Sequence, residues 1–269
     1  MKIEGKVFVV TGGGNGIGRE VTLALLRKGG RVAAVDISAT ALAETETLAG
    51  EMSSRLSTHV VNITDRVAVE KLPEEIIKIH GAADGLINNA GIIQKFVKIK
   101  DLDYNEIERV MNVNYYGMVY MTKAFLPYLL ARPEAHILNV SSMGGFVPVP
   151  GQSVYGASKA AVKLFTEGLN SELQGTQVRV TIVYPGATAT KISINSGVTT
   201  EKQAAEAAKD SKFKMASAED AAAQMVAAIE KGKYWVNIGS DSKMMDFLYR
   251  LNPESTAKLI FQQMKSLLG

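Results

Sequence analysis

Tyr155 and Lys159 are the residues of this sequence whose types and spacing most directly suggest acid/base chemistry. Four positions apart on a helix, their side chains lie on one face, so the lysine ammonium can act on the tyrosine phenol. A base that works near neutrality needs the phenol pKa lowered by about 3 units, or about 4 kcal/mol. Adjacent positive charge supplies that preference for the phenolate. The pair therefore predicts proton transfer to or from a hydroxyl or carbonyl oxygen.

A glycine-rich segment at residues 11–18 follows the first predicted strand and leads into a helix. Its glycines, Gly12, Gly16 and Gly18, let the backbone approach a pyrophosphate, and the helix N-terminus offers free N–H groups and a positive dipole end. The segment lacks the Gly-Lys-Ser/Thr of a P-loop nucleotidase, and its spacing differs from the commoner Gly-x-Gly-x-x-Gly. A phosphate cradle is predicted here, with a tight strand-to-helix junction as the alternative.

Asp36 ends the second predicted strand, eighteen positions after Gly18. An acid about 20 residues beyond such a glycine segment usually meets the hydroxyls of an adenosine ribose. It also repels a 2′-phosphate, and the neighbours where a cation for that phosphate would be wanted are Asn15 and Ile37. NAD is therefore predicted over NADP. The alternative role for Asp36 is helix capping beside Ser38.

The elements that must position these residues are short β-branched runs, which alternate along the chain with longer helical patterns. The predicted strands cover residues 6–10, 31–35, 58–61, 85–87, 136–140, 178–183 and 234–238, and the predicted helices cover residues 18–28, 39–52, 67–79, 104–130, 154–173 and 217–231. This alternation is typical of βαβ units, so the predicted fold class is α/β, a doubly wound parallel sheet with helices on both faces. Residues 187–214 interrupt the pattern as an irregular or helical insertion, where such folds carry substrate loops.

The composition excludes several other classes of protein. Lys and Arg number 30 against 27 Asp and Glu, for a net charge of +3 without long blocks, so no nucleic-acid surface is predicted. Cysteine is absent and the three histidines lack ligand spacing, so no disulfide and no metal site is expected. No apolar run reaches the ~18 residues of a transmembrane helix or forms a signal sequence. A cytoplasmic location is expected.

A serine hydrolase is a competing interpretation, because Gly151 and Ser153 begin like a nucleophile elbow. Tyr155 stands where the closing glycine of that motif is required, and no histidine follows His136 to complete the order Ser, acid, His. The hydrolase interpretation is therefore set aside.

Taken together, these residues and several downstream resemble the short-chain dehydrogenase/reductase family, in its single-domain type of about this length. The matching segments are residues 11–18, Asn62 with Ile63, residues 88–91, Asn114, Ser142, Tyr155 with Lys159, and residues 185–190. They occur in family order. The resemblance implies a single Rossmann-type domain over residues 1–269, with 1–140 mainly for cofactor binding, 141–240 for catalysis and a substrate loop, and 241–269 as a C-terminal helical tail.

The resemblance also implies a role for each matching residue. Ser142 would hydrogen-bond the substrate oxygen, Lys159 would also bind the nicotinamide ribose, and Asn114 would hold a water linked to Lys159. The implied cofactor contacts are Gly12, Asn15, Gly16, Ile17, Gly18, Asp36, Ile37, Asn62, Ile63, Asn89, Ala90, Gly91, Tyr155, Lys159, Pro185, Gly186, Thr188 and Thr190. Many relatives have Asp where this chain has Asn62, which still offers an amide to an adenine edge. Without the resemblance, Asn114 could simply bond nearby backbone.

The predicted substrate is a hydrophobic secondary alcohol or ketone, such as a lipid-like, acyl or steroid-like compound. Apolar residues of the loops near Ser142 and Tyr155 support this prediction: Phe96, Met143, Phe146, Val147, Val149, Ile192 and Ile194. The Met-rich and Leu-rich tail could cap this pocket, join a subunit interface, lie on a membrane or pack on its own core.

The expected activity is an NAD-dependent interconversion of an alcohol and a ketone, and the expected assembly is a homodimer or homotetramer. Residues 104–130 and 154–173 are the candidate interface helices. Two alternatives remain open: an NADP-dependent 3-oxoacyl or carbonyl reductase, and a non-catalytic nucleotide-binding protein of the same fold.

Overall fold

Seven parallel strands form the central sheet, in the order β3-β2-β1-β4-β5-β6-β9. They are β1 (Val7–Thr11), β2 (Arg31–Asp36), β3 (Leu56–Val60), β4 (Gly85–Asn88), β5 (Ala135–Val140), β6 (Val178–Pro185) and β9 (Trp235–Ile238). Two shorter strands, β7 (Thr188–Ala189) and β8 (Ala216–Ser217), pair in parallel apart from this sheet. The computed structural model describes residues 1–200 and 215–268, so the predicted insertion at 187–214 lies partly outside the described residues.

Helices cover both faces of the sheet. They are α1 (Gly16–Arg27), α2 (Ala39–Ala49), α3 (Arg66–His80), α4 (Tyr104–Met111), α5 (Met118–Leu130), α6 (Ser153–Glu172), α7 (Ile192–Asn195), α8 (Ala218–Lys231), α9 (Ser240–Leu251) and α10 (Pro253–Met264). The doubly wound, single-domain α/β fold predicted from the alternating pattern is confirmed.

Strand β1 shows how the sequence divides its apolar residues between the two faces. Phe8 and Val10 pack into one hydrophobic cluster with α1 and α8, whereas Val9 packs into a second cluster with α3, α5 and α6. Successive side chains of a strand point to opposite faces, so a continuous run of buried residues is required where both faces are covered. Packing on both faces fixes the position of each strand, and polar residues of the site follow the carboxyl ends of the strands.

Side-chain caps begin several of these helices, and at Ser217 the sequence predicted the cap. Ser217 accepts a hydrogen bond of 2.9 Å from the Asp220 amide at the start of α8, as expected for an N-cap. Asp65 accepts from the Val67 amide at 3.0 Å at the start of α3. Gly50, with φ of 53°, ends α2 earlier than the predicted residue 52, because glycine adopts this left-handed backbone easily.

The long helix predicted at residues 104–130 is helical throughout, but it contains a π-helical segment at Asn112–Gly117 between α4 and α5. A π segment adds a residue to the helical turn and often occurs at functional sites. Here it turns the side chain of Asn114 into the molecule. Hydrophobic periodicity did not predict this feature.

The C-terminal helices α9 and α10 cover the loop that follows β5. Met245 and Ile260 are buried against Val147 in a third, smaller hydrophobic cluster. The outer side of α9 leaves Met244, Phe247 and Leu251 exposed. Of the described helices, none has the length and apolar character needed to cross a bilayer.

Candidate active site

A cleft of about 1100 Å³ lies at the carboxyl ends of the strands, beside the point where β1 is flanked by β2 and β4. From β1 the chain first adds β2 and β3 on one side, and then adds β4 and the later strands on the other side. Ligands of such sheets bind at the point where the strand order reverses in this way. Residues predicted to contact cofactor or substrate and found on the cleft wall are Gly12, Asn15, Gly16, Ile17, Asp36, Ile37, Asn62, Ile63, Asn89, Ala90, Gly91, Ser142, Tyr155, Lys159, Pro185, Gly186, Thr188, Thr190 and Ile192.

The turn between β1 and α1 needs its glycines for two different reasons. Gly12 and Gly16 have φ of 68° and 50°, a backbone conformation that other residues rarely adopt. A Cβ on Gly12 would stand 2.8 Å from the Asn89 side-chain nitrogen, and one on Gly14 would stand 2.9 Å from the Asp36 carboxylate. The turn therefore presents bare backbone to the cleft at the positive end of α1, a surface that fits a pyrophosphate.

Gly18 does not line the cleft, contrary to the expectation from the sequence. It is buried one turn into α1, where a side chain would collide with the Gly12 carbonyl and the Asn89 amide. Its role in this structure is close packing of the helix under the turn.

Asp36 lines the cleft, as the sequence predicted, and it also binds nearby backbone. Its carboxylate accepts hydrogen bonds of 3.0 Å from the Gly14 amide and 3.0 Å from the Ser38 amide, and it also lines the cleft. Ser38 itself caps α2 through the Ala41 amide at 3.2 Å. A carboxylate oxygen accepts more than one hydrogen bond, so Asp36 can hold the glycine turn and still bind a diol.

The loop after β4 is tied to the end of β1. The Thr11 hydroxyl accepts from the amides of Asn89 and Ala90 at 3.0 and 3.1 Å, and the Asn89 side chain donates to the Thr11 carbonyl at 3.0 Å. On the other side of the cleft, Asn62 uses its side-chain oxygen locally, accepting from the Thr64 amide at 3.0 Å. The bonds of Thr11 and Asn89 therefore hold the loop after β4 against the end of β1.

Tyr155 and Lys159 lie on one face of α6 and meet the end of β5. The Ser142 hydroxyl acts on the pKa of the Tyr155 phenol as a hydrogen-bonding group, and it accepts from the Gly144 amide at 3.1 Å. The Lys159 ammonium donates to the Val140 carbonyl at 2.9 Å. The neighbouring Ser141 faces the other way and donates to the Lys159 carbonyl at 2.8 Å, as alternation along an extended chain requires.

Asn114 lies behind this group and does not line the cleft. Its side-chain oxygen accepts from the Ile92 amide at 2.8 Å, and its nitrogen donates to the Ile92 carbonyl at 2.9 Å and to the Ser158 hydroxyl at 2.9 Å. A Cβ on Gly91 would stand 3.1 Å from the Lys159 ammonium and 3.3 Å from the Asn114 oxygen. Asn114 thus bonds nearby backbone, and it also lies close to the ammonium.

Burial controls the proton affinities of the candidate acid/base groups. It raises the pKa of the Tyr155 phenol above its ordinary value, and the hydrogen bond with Ser142 acts in the opposite direction. Burial lowers the pKa of the Lys159 ammonium to about 8. The sequence predicted that adjacent positive charge lowers the pKa of the Tyr155 phenol, whereas in this structure burial has the larger effect and raises it. Lys159 itself titrates close to neutrality, which suits a group that takes and returns a proton.

Gln94 is a buried residue of this site that the sequence did not reveal. Its side-chain oxygen accepts from the amides of Val154 and Tyr155, both at 2.9 Å, and its side-chain nitrogen donates to the Gly151 carbonyl at 2.9 Å. It therefore satisfies the first free amides of α6 from a distant loop. No local motif predicts a cap supplied from so far along the chain.

Of the seven apolar residues expected to surround the substrate, Ile192 lines the cleft, whereas Phe96, Met143, Phe146, Val147, Val149 and Ile194 do not. Val147 is 1% exposed and packs against Met245 and Ile260, because the tail covers this loop. Phe96 lies against Gly151, and Met143 packs at the edge of the same third cluster. The apolar walls near Ile192 come instead from residues that the sequence did not single out: Ile92, Ile93 and Met215.

Comparison with known proteins identifies the family. A profile of the short chain dehydrogenases matches residues 6–201. A Mycobacterium tuberculosis protein described as an oxidoreductase, SadH, is 35% identical over 261 residues, which cover 96% of this chain and 94% of SadH. The chain belongs to the short-chain dehydrogenase family. A further relative of this dehydrogenase is the 3-oxoacyl-(acyl-carrier-protein) reductase FabG of Thermotoga maritima, 37% identical over 69% of this chain and 75% of FabG.

Solved structures agree with this assignment. A short-chain dehydrogenase/reductase from Burkholderia phymatum in complex with NAD has a TM-score of 0.85 at 24% identity, covering 94% of this chain and 96% of its own. A short-chain dehydrogenase from Burkholderia cenocepacia in complex with NADP has a TM-score of 0.81 at 27% identity, covering 97% and 99%. This dehydrogenase is an oxidoreductase of CH–OH groups that uses a nicotinamide cofactor.

Proposed function

We propose that this dehydrogenase interconverts a hydrophobic secondary alcohol and its ketone, with NAD preferred over NADP and Tyr155 as the acid/base. The observation that carries the proposal is the arrangement of Tyr155, with Ser142 acting on its phenol, beside the buried Lys159 on the wall of a dinucleotide-sized cleft. Asp36 lies on the wall of the same cleft, at the end of β2.

The residues of the cleft fit a dinucleotide. The bare backbone at Gly12 and Gly16 would hold the pyrophosphate, Asp36 the adenosine ribose, and the loop from Pro185 to Thr190 the nicotinamide half. When bound, the nicotinamide supplies the two-electron redox chemistry of the reaction. The chain then has to bind the substrate oxygen and move one proton.

Tyr155 performs that proton movement in either direction. It takes the hydroxyl proton of an alcohol that is being oxidised, or it protonates the developing alkoxide of a ketone that is being reduced. The Ser142 hydroxyl supports the phenolate and can bind the same substrate oxygen. With its pKa near 8, Lys159 passes a proton onward, and Asn114 holds the backbone around the ammonium.

The preference for NAD rests on the charges near Asp36. A carboxylate favours two ribose hydroxyls and repels a 2′-phosphate. Arg19, whose guanidinium donates to the Gly14 carbonyl at 2.8 Å, is paired with Glu44 at 2.6 Å and is not on the cleft wall. Ile37, exposed beside Asp36, offers no charge to a phosphate.

An NADP-dependent 3-oxoacyl or carbonyl reductase is the second candidate. The likeness to FabG favours it, because FabG is named as a 3-oxoacyl-(acyl-carrier-protein) reductase. Both candidates share an apolar substrate wall at Ile92, Ile93 and Ile192, so the cofactor is what separates them most clearly. A non-catalytic role is the third possibility and predicts cofactor binding without turnover.

We further propose a cytoplasmic homodimer or homotetramer. Tyr116 and Leu164 are 45% and 69% exposed on the two helical segments expected to form the interface. Exposed large apolar side chains on neighbouring helices are typical of contact surfaces between subunits. Sedimentation of the purified protein at micromolar concentration tests this assembly, and a monomer would contradict it.

The proposed activity is tested by following the near-ultraviolet absorbance of reduced nicotinamide. The enzyme is mixed with NAD or NADP and a panel of secondary alcohols, from polyols to long-chain and alicyclic compounds. The proposal predicts reduction of NAD with the apolar alcohols. Turnover with polyols alone, or a large preference for NADP, would contradict it.

A further inference from the structure

The first turn of α9 contacts the end of β6 and the loop that follows it, at one point each. The Ser242 hydroxyl, fully buried, donates to the Tyr184 carbonyl at 2.9 Å. The Asp241 carboxylate accepts from the Ala187 amide at 2.7 Å. These bonds lie on either side of Pro185 and Gly186, so the start of α9 holds the backbone both before and after these two residues.

Gly186 shows how closely Asp241 approaches the loop. Its amide donates to the Ile238 carbonyl at 2.9 Å, which fixes the backbone beside the end of β9. A Cβ on Gly186 would collide with the Asp241 carboxylate. The φ of Gly186 is not positive, so the backbone conformation itself allows alanine. The Asp241 carboxylate thus occupies the space that a side chain at residue 186 would take.

Ala187 is fixed through both of its polar backbone groups. Its amide donates to Asp241, and its carbonyl accepts from the Ala216 amide at 2.9 Å. The following residues, Thr188 and Ala189, then pair with β8. Residues 185–188 and Thr190 all line the cleft, on the side proposed to hold the nicotinamide half of the cofactor.

We propose that Asp241 is a positioning residue for cofactor binding. It holds the loop of residues 185–190 in the position that the nicotinamide half of the cofactor requires. This inference rests on the proposed function. A hydrogen bond from an amide to a carboxylate is shorter and stronger than one between neutral groups, so it can hold an exposed loop in one conformation. The C-terminal helices therefore contribute to the cofactor site without lining it.

The first experiment measures binding of NADH to the full chain by fluorescence. Loss of one charge-assisted hydrogen bond in Asp241→Ala should raise the dissociation constant about tenfold. Asp241→Asn retains an acceptor oxygen and should stay within about threefold of the wild type. Glu254→Ala is the matched control, because it also removes an acid from the first turn of a tail helix, one that pairs with Lys258 and not with the loop. It should leave binding unchanged.

A double-mutant cycle tests the contact itself. Gly186→Ala should weaken NADH binding strongly in the wild type, because its Cβ meets the carboxylate. In the Asp241→Ala background the same change should cost much less, since the space is open. Equal costs in both backgrounds would overturn the inference.

The second readout is independent of the cofactor. Amide hydrogen exchange at Ala187 in the cofactor-free protein should be faster in Asp241→Ala and close to wild type in Asp241→Asn and Glu254→Ala. Unchanged exchange in Asp241→Ala overturns the anchoring role, and faster exchange with unchanged NADH affinity overturns its importance for binding. If the wild type binds no NADH, the proposed function fails, whereas the exchange result still reports whether Asp241 holds the loop.

Discussion

At the scale of single residues, the site depends on burial as much as on charge. Tyr155 and Lys159 both lie where water is largely excluded, which favours the neutral form of each group. The hydrogen bond with Ser142 is the influence of the protein that acts toward the phenolate. A nicotinamide with a positive charge would act in the same direction when bound. The pair is therefore tuned to exchange a proton in the assembled complex.

Lys159 should also make the stability of the protein depend on pH. Its pKa is about 8 in the folded chain, against 10.5 as the ordinary value, so the folded state binds fewer protons between these values. The free energy of unfolding therefore rises with pH through this window, and below pH 8 the burial of the ammonium costs about 3 kcal/mol.

The test compares urea unfolding of the wild type and Lys159→Met at pH 7 and pH 9.5. From the lower to the higher pH, the wild type should gain about 2 kcal/mol relative to the variant. Lys159→Met also loses the hydrogen bond to the Val140 carbonyl, but this loss is present at both pH values and cancels in the comparison. A difference that is constant with pH would contradict the buried ammonium.

Asp36 should decide the choice of cofactor. Asp36→Asn keeps an oxygen for the Gly14 amide and removes the charge, whereas Asp36→Ala also releases the turn. Both should improve the use of NADP relative to NAD by at least about tenfold, as expected for loss of a repulsion of about 1.4 kcal/mol. Steady-state kinetics with each cofactor measure the ratio. A wild-type enzyme that already prefers NADP by a large factor would show that Asp36 has been misinterpreted.

At the scale of elements, α6 must start at the right residue for Tyr155 to reach Ser142. Gln94 fixes that start by accepting from two amides of the first turn. Gln94→Ala leaves these buried amides unpaired, so turnover should fall about tenfold while the affinity for NADH changes little.

The control for this prediction is Gln152→Ala. Gln152 is also buried and donates to the Gln94 carbonyl at 2.7 Å, but it does not accept from the amides of α6. It should lower thermal stability without the loss of turnover. Equal turnover in the two variants would show that Gln94 has only a structural role.

The elements themselves were largely predictable, because their signals are local. The continuous apolar run of β1 and the short segments rich in apolar residues at β5 and β6 indicate buried strands, and Ser217 marks the start of α8. The π segment around Asn114 was not predictable, since it differs from an α-helix by only one extra residue in a turn. The cap supplied by Gln94 was also hidden, because its donors lie about 60 positions away.

At the scale of the whole molecule, the C-terminal tail changes how the substrate region is interpreted. The sequence suggested Val147, Met143 and Phe96 as pocket walls, since they are apolar and near Ser142. Met245 and Ile260 bury Val147 in a cluster that Met143 also joins, and Phe96 lies against Gly151, so none of the three lines the cleft. Residue type alone cannot distinguish a core contact from a pocket wall. The cofactor side was easier to predict, because glycine spacing and Asp36 are constrained by chemistry.

The remaining apolar wall predicts how the enzyme responds to substrate size. Along a series of secondary alcohols with lengthening alkyl chains, kcat/KM should rise by up to about fourfold per methylene until the pocket is full, at about 0.8 kcal/mol for each buried CH₂. Ile192→Asp should flatten the series, whereas Tyr104→Asp, at a residue 82% exposed outside the cleft, should not. A flat series in the wild type would contradict the hydrophobic substrate.

The central claim is that Tyr155 is the acid/base of a nicotinamide-dependent alcohol oxidation. It is tested most directly by measuring single-turnover NAD reduction in the wild type and in Tyr155→Phe, with NAD affinity determined for both. The account predicts unchanged affinity and a rate lower by at least about 10²-fold, the usual contribution of a positioned acid/base. A near-normal rate in Tyr155→Phe would contradict it.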